Sequence, residues 1–205
     1  RSPSRGLGDV YKRQEQEHCS PYMEKYVGEA LYQMRFPEDA LFRAKKRYAV
    51  MTDHPYTTLW EVFPKGGTIN HAWSGGTLTL LSQYGAGVAP VTPGYETYHV
   101  LPQMGALKII KTTVPSVKGL IDLELRDEGD AFTMHLSSPP DTTAIVGIPK
   151  RPGAAITRIK ANGKTVWENG KPNKLNGLEF LEDTEHYITF SLQPGDWMFE
   201  SETRP

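Results

Sequence analysis

The sequence predicts an α+β chain with helices first and an antiparallel β-sandwich after them, on three observations. Up to about residue 85, apolar side chains recur at helical spacing. Beyond residue 90 they come in short runs rich in β-branched and aromatic residues. Between the two lies GVAPVTPG, whose prolines and glycines suit a domain boundary. The 205 residues allow one or two domains, and the expected division is residues 15–89 and 90–205.

The first helix is predicted from Ser20, an N-cap followed by Pro21 at the first helical position. Met23, Tyr26, Val27, Ala30, Leu31 and Met34 form its apolar stripe. Pro37 with Glu38 and Asp39 opens a second helix. Ala40, Leu41, Ala44 and Tyr48 are expected inside, and Lys45, Lys46 and Arg47 on a solvated face near the C-terminal end, where positive charge suits the helix dipole. A third helix is expected from Trp73 or Ser74 to Tyr84, with Gly85 and Gly87 ending it. These helices cannot bury their stripes alone, so they call for partners beyond this sequence.

The β region reads as nine runs: YETYHVLP, ALKIIKTTVPS, GLIDLELRDEG, DAFTMHLSSPP, DTTAIVGIP, AAITRIKANG, KTVWENG, GLEFLEDT and EHYITFSLQPGDW. Their spacing of about ten residues is that of an antiparallel sandwich. Asn162-Gly163 and Glu128-Gly129-Asp130 read as tight turns.

The first fourteen residues, RSPSRGLGDVYKRQ, are set aside. They lack apolar periodicity, and DVYKRQ is similar to one reading frame of a transposon end used in library construction, so they read as an assembly scar on a metagenomic fragment. Arg1, Arg5, Lys12 and Arg13 against Asp9 give this segment +3, so the formal charge moves from −1 to −4 without it. That balance argues against a nucleic-acid partner. Cys19 is the single cysteine, which precludes an intrachain disulfide, and its neighbour His18 does not make it a metal site. No metal or cofactor is expected. No run approaches the roughly 20 apolar residues that span a bilayer; a signal peptide would lie upstream, so localisation stays unread.

Residues 57–76, TTLWEVFPKGGTINHAWSGG, concentrate the chemistry. A sugar presents apolar C–H faces that rest on flat aromatic rings and hydroxyls that need donors and acceptors, so Trp60 and Trp73 with Glu61, Asn70 and His71 form a plausible kit for holding one. Glu61 also has the chemistry of a general base acting on water. The structural reading of the same residues is that both tryptophans are core and Glu61 is a solvated loop carboxylate. Trp167 and Trp197 are candidate sugar platforms in the β region, against the reading that they pack in the sandwich. His99, His135 and His186 sit in strand-like runs and read as satisfied or surface residues.

TTLWE, NHAW, a helix ending in YGAGVAP, and SPPDTTAIVGIP resemble glycoside hydrolase family 78, the bacterial α-L-rhamnosidases, over residues 20–149 at least. The resemblance implies that the helices are the last ones of an (α/α)6 catalytic barrel and that the rest is the family's C-terminal β-sandwich. It implies an inverting hydrolase acting on a rhamnose-containing glycan or glycoside. Glu61 would be the general base, His71 would contact the sugar, and Trp60, Asn70 and Trp73 would complete the pocket. The family's general acid lies upstream of this segment. Glu15 and Glu17 fit no motif, so the chain holds half a catalytic pair and is expected to be inactive alone, its missing partner being the upstream part of its own catalytic domain. The alternative is a non-catalytic carbohydrate-binding or structural module of a larger protein.

Overall fold

The computed structural model describes residues 19–64 and 66–204. The segment 1–14, together with Glu15, Glu17 and His18, lies outside the described residues. The chain forms two compact units, one ending at Leu80 and the other beginning at Leu81.

In the first unit, helix α1 spans Pro21–Gln33 and helix α2 spans Pro37–Thr52. Ser20 caps α1 by accepting from the Met23 amide, and proline opens both helices, as the sequence predicts. The buried face of α1 is not the predicted stripe. Pro21, Glu24, Gly28, Leu31 and Tyr32 are buried, whereas Met23, Tyr26 and Met34 are exposed. The cause is an ion cluster between the helices. The Arg43 guanidinium grips both oxygens of Glu24 at 2.7 and 2.9 Å, and Arg47 Nε adds a third bond at 2.9 Å.

Arg47 therefore leaves the solvated face assigned to it. It also donates to the Cys19 carbonyl at 2.6 Å and lies 4.4 Å from the centre of the Phe63 ring. Lys45 and Lys46 are exposed as expected. On the inner side of α2, Ala40 and Tyr48 are buried and Leu41 and Ala44 partly so.

The third helix is composite. A 3-10 turn, Ala72–Gly75, leads into helix α3, Gly76–Leu80, and the second unit opens with a π-turn, Leu81–Gly85, closed by an Ala86 N–H to Leu81 C=O bond of 2.7 Å. Among the described residues no helix is long and apolar enough to cross a membrane.

The second unit is built of strands: β1 Val88–Pro90, β2 Thr97–Val100, β3 Ile109–Ser116, β4 Gly119–Asp127, β5 Ala131–Ser138, β6 Thr143–Pro149, β7 Ala155–Ala161, β8 Lys164–Glu168, β9 Lys171–Pro172, β10 Leu178–Asp183, β11 Tyr187–Leu192 and β12 Gly195–Arg204. A five-stranded sheet runs β1-β2-β6-β11-β10 and a seven-stranded sheet runs β3-β4-β5-β12-β7-β8-β9. Their inner faces share one core, with Val100, Val146 and Phe190 from the first sheet and Leu125, Met134 and Phe199 from the second. The Phe190 and Phe199 rings, 5.8 Å apart, meet across it.

Two features depart from the predicted all-antiparallel sandwich. β2 and β6 pair in parallel, which requires a long connection between them; β3, β4 and β5 of the other sheet provide it. The last predicted run, EHYITFSLQPGDW, is two strands. Pro194 and Gly195 turn the chain, and β12 then inserts between β5 and β7. Both predicted turns form. Asn162 and Gly163 take φ of 48° and 76°, the left-handed pair that a two-residue hairpin turn requires, and the Glu128 amide bonds the Ala131 carbonyl at 3.0 Å.

The Glu24 cluster gives the first unit a specific weak point. Truncating one partner of a buried ion pair strands the other charge and costs about 3–5 kcal/mol. Glu24→Ala is expected to melt α1 and α2 early in a denaturant titration followed by hydrogen exchange. The exposed Lys45→Ala should shift stability by no more than about 0.5 kcal/mol.

Candidate functional site

The loop between α2 and the 3-10 turn is held from below by Trp60. Its ring is fully buried, in the small cluster with Tyr48 and Met51, and it meets the His54 ring edge-on at 5.0 Å. Its backbone is fixed at both ends: the amide donates to Met51 Sδ at 3.4 Å and the carbonyl accepts from Ser74 Oγ. Trp60, expected as a wall of the sugar pocket, is thus a foundation. A ring with no accessible face cannot stack on a sugar.

Because Trp60 points inward, its neighbour Glu61 points out, and its side chain keeps 30% of its accessible surface. Backbone bonds then close the loop like a short ladder: Glu61 N–H to Thr68 C=O at 2.9 Å, and His71 N–H to Leu59 C=O at 2.9 Å. Thr58 adds a hydroxyl bond to the Ile69 carbonyl. Gly67 has φ of 63°, and a Cβ there would stand 2.5 Å from Glu61 Oε2, so the turn that places the carboxylate requires glycine.

Thr68 joins the two predicted chemical residues. Its amide donates to Glu61 Oε2 at 2.9 Å, and its hydroxyl lies 3.3 Å from the same oxygen and 2.5 Å from His71 Nδ1. Glu61 and His71 are themselves 3.8 Å apart. One proton pattern satisfies all of this: His71 Nδ1–H donates to Thr68 Oγ1, and Oγ1–H donates to Glu61 Oε2. Among the described residues no group then takes His71 Nε2 or Glu61 Oε1, which can meet a ligand. The Thr68 amide, ahead of the charge of His71 and the Thr68 hydroxyl, holds the Glu61 carboxyl below the usual glutamate range, and partial burial opposes this only in part.

Beside the carboxylate runs an aromatic surface. Trp73, 44% exposed, lies 4.1 Å from the His71 ring and 5.2 Å from Tyr22, whose hydroxyl meets that of Tyr26 at 3.0 Å. Asn70 is exposed nearby in sequence. Sequence reading missed Thr68, Tyr22 and Tyr26. The tyrosine pair at i and i+4 was the available signal, since two polar-tipped rings on one face of a helix suit a half-wet surface.

The other candidates resolve plainly. Trp167 and Trp197 are 5% and 7% exposed and belong to the sandwich core, so neither presents an open platform. His135 and His186 are exposed, and burial holds the partly covered His99 below the usual histidine range. Among the described residues no group of His, Cys, Asp and Glu is placed to hold a metal ion.

A depressed carboxyl stabilises the folded state above its unfolded titration range, and that contribution is lost as pH falls through the folded value. Carbon-detected NMR titration should place the Glu61 midpoint below the usual glutamate range. Thr68→Val, which keeps the amide and deletes the hydroxyl, should return it part of the way.

Residues 87–162 match the family model described as the bacterial alpha-L-rhamnosidase C-terminal domain, a span that takes in β1 to β7. No curated protein matches the chain. Among solved structures, the α-L-rhamnosidase of Dictyoglumus thermophilum is 24% identical over 87% of this chain and 20% of its own, with a TM-score of 0.73. The Streptomyces avermitilis α-L-rhamnosidase, solved with L-rhamnose, is 22% identical over 83% of this chain and 16% of its own, at 0.61. That of Aspergillus terreus is 15% identical over 86% and 18%, at 0.57. The chain thus spans about a fifth of the length of these enzymes and shares their fold over that part. The resemblance read in the sequence stands as a similarity: residues 87–162 match the model of the bacterial alpha-L-rhamnosidase C-terminal domain, and the chain is similar in fold to part of α-L-rhamnosidases.

Proposed function

We propose that this chain is the C-terminal part of an inverting glycoside hydrolase that removes terminal α-L-rhamnosyl residues, with Glu61 as its general base. The observation that carries the reading is the Glu61 carboxylate. It is solvent-reachable, held in its ionised form by Thr68, and set beside a histidine and an exposed tryptophan. A general base of this kind must be ionised at the working pH and open to water.

In an inverting enzyme one carboxyl protonates the leaving oxygen while a carboxylate on the opposite sugar face takes a proton from water. Glu61 performs the second task. As the water oxygen bonds to the anomeric carbon, its proton passes to Glu61 and the glycosidic C–O bond breaks with its electron pair moving to the leaving oxygen. His71 Nε2 and Asn70 hold ring hydroxyls, and Trp73 faces the apolar side of the sugar. Trp60 acts by keeping the loop in place.

On this reading the helices before β1 are the last ones of an (α/α)6 catalytic domain and the strands from β1 on are its C-terminal sandwich. The general acid comes from a preceding part of the protein, and the 205 residues alone do not turn over. Two findings support this. The chain covers about a fifth of the enzymes it resembles, and Met23, Phe42, Val50 and Leu78 of the first unit are exposed, as helices of an incomplete barrel would leave them.

In a protein extended upstream to include the whole catalytic domain, Glu61→Gln should lower kcat for a chromogenic α-L-rhamnoside by about 10²- to 10⁴-fold with substrate binding kept. His71→Ala should raise KM as well as lower kcat. A normally folded Glu61→Gln protein with near wild-type turnover would return Glu61 to the status of a loop carboxylate.

A further inference from the structure

A cavity lies wholly within the sandwich, at one end of the seam between its sheets. It has a volume of about 440 Å³ and is lined by Lys150, Ala154, Ala155, Ile156, Trp167, Asn169, Gly170, Asp183 and Ile188. The floor comes from both sheets, with Ile156 on β7, Trp167 on β8 and Ile188 on β11. The rim comes from strand ends and turns. Lys150 follows β6, Asp183 closes β10, and Asn169 and Gly170 form the turn between β8 and β9 with φ of 46° and 83°.

We propose that this cavity is a binding subsite for one neutral sugar ring, separate in sequence from the Glu61 loop and independent of the catalytic reading of it. Three observations select that ligand class. The size falls in the range of small-molecule sites, about 300–1,000 Å³, and admits a single pyranose with its solvent shell displaced.

The polar groups form a rim over an apolar floor. The Asn169 amide N–H is spent on the Thr157 carbonyl, 3.0 Å away, but its exposed carboxamide bonds no other group among the described residues and can donate and accept at once, as vicinal hydroxyls require. The charge is balanced within the rim: the Lys150 ammonium is held by Asp183 and by the Thr184 carbonyl. A phosphate or carboxylate would have to displace Asp183 from its partner, whereas a hydroxyl can donate to the carboxylate and accept from the ammonium without breaking the pair.

Trp167 contributes an edge. Its ring is buried and its Nε1–H, among the described residues, has no acceptor. The indole N–H is itself closed to solvent, so it reports on occupancy of the cavity rather than bonding the ligand. Binding here works through hydrogen bonds over an apolar floor, unlike the open stacking expected of a tryptophan platform.

The test is NMR of the 205-residue chain titrated with L-rhamnose, D-galactose and D-glucose, and with inorganic phosphate as the anionic control. The four tryptophan indole N–H signals serve as assigned reporters. Saturable shifts of the Trp167 indole and the Asn169 carboxamide with at least one sugar, at an affinity on the order of 1 mM, and none with phosphate, are the expected result. Asn169→Ala lies on an exposed turn and should weaken the response roughly tenfold while leaving the other indole signals in place. Asp183→Asn should admit phosphate.

The proposal is overturned if no sugar gives a saturable shift at Trp167, if the Asn169→Ala response equals that of the parent chain, or if phosphate alone binds. Shifts confined to Trp73 would place sugar binding at the Glu61 loop only and would also overturn it. Conversely, a Trp167 response without catalysis in the extended protein would leave this site standing and remove the catalytic reading.

Discussion

The burial of Trp60 is the constraint on which the candidate active site depends. Closed off in the Tyr48 and Met51 cluster, with its amide on a sulfur and its carbonyl on a serine hydroxyl, it pins one residue of an otherwise polar loop. With Trp60 turned inward, its neighbour Glu61 keeps its side chain partly open to solvent. Two short backbone ladders and the Gly67 turn then bring Thr68 under the carboxylate. The tryptophan next to the acid therefore positions it, and Trp73, thirteen residues later, is the one that meets solvent.

A second layer of support comes from charge. Glu24, Arg43 and Arg47 bind α1 to α2, and Arg47 reaches beyond the pair to the Phe63 ring inside the loop. Such a cluster is a poor source of net stability because desolvation offsets most of the attraction. It is directional, however, and it fixes the rotation of α1 so that Tyr22 and Tyr26 face outward, with Tyr22 beside Trp73. Apolar packing alone would have favoured turning Met23 and Tyr26 inward, as the sequence stripe suggested.

These cases show what was legible in the sequence. Helix starts were, because Ser20, Pro21 and Pro37 act locally through caps and fixed φ. The two-residue turn at Asn162 was, because only certain residues accept its backbone angles. The sandwich was, because alternation survives in strands such as β5 and in the first half of β12. The helix face was misread because periodicity scores Glu24 and Arg43 as outward, and only their mutual pairing makes their burial tolerable. β1 and β9 were missed because three- and two-residue strands carry too little pattern, and β12 was fused to β11 because its second half, FESETR, reads as polar. In the site, Glu61 and His71 could be picked out by type, but their connection through Thr68 depends on a loop closure that no local pattern announces.

In the proposed reaction Glu61 is the group that activates the nucleophile on the face opposite the leaving group. That claim is open to a direct chemical test in the extended protein. Removing the carboxylate as Glu61→Ala opens space for a small anion that needs no base, so added azide should restore turnover of an α-L-rhamnoside. The azide nitrogen bonds to the anomeric carbon as the glycosidic bond breaks, and the product should be the rhamnosyl azide of inverted configuration. A folded Glu61→Ala protein that gains nothing from azide, or that yields an azide of retained configuration, would contradict Glu61 as the base of an inverting reaction.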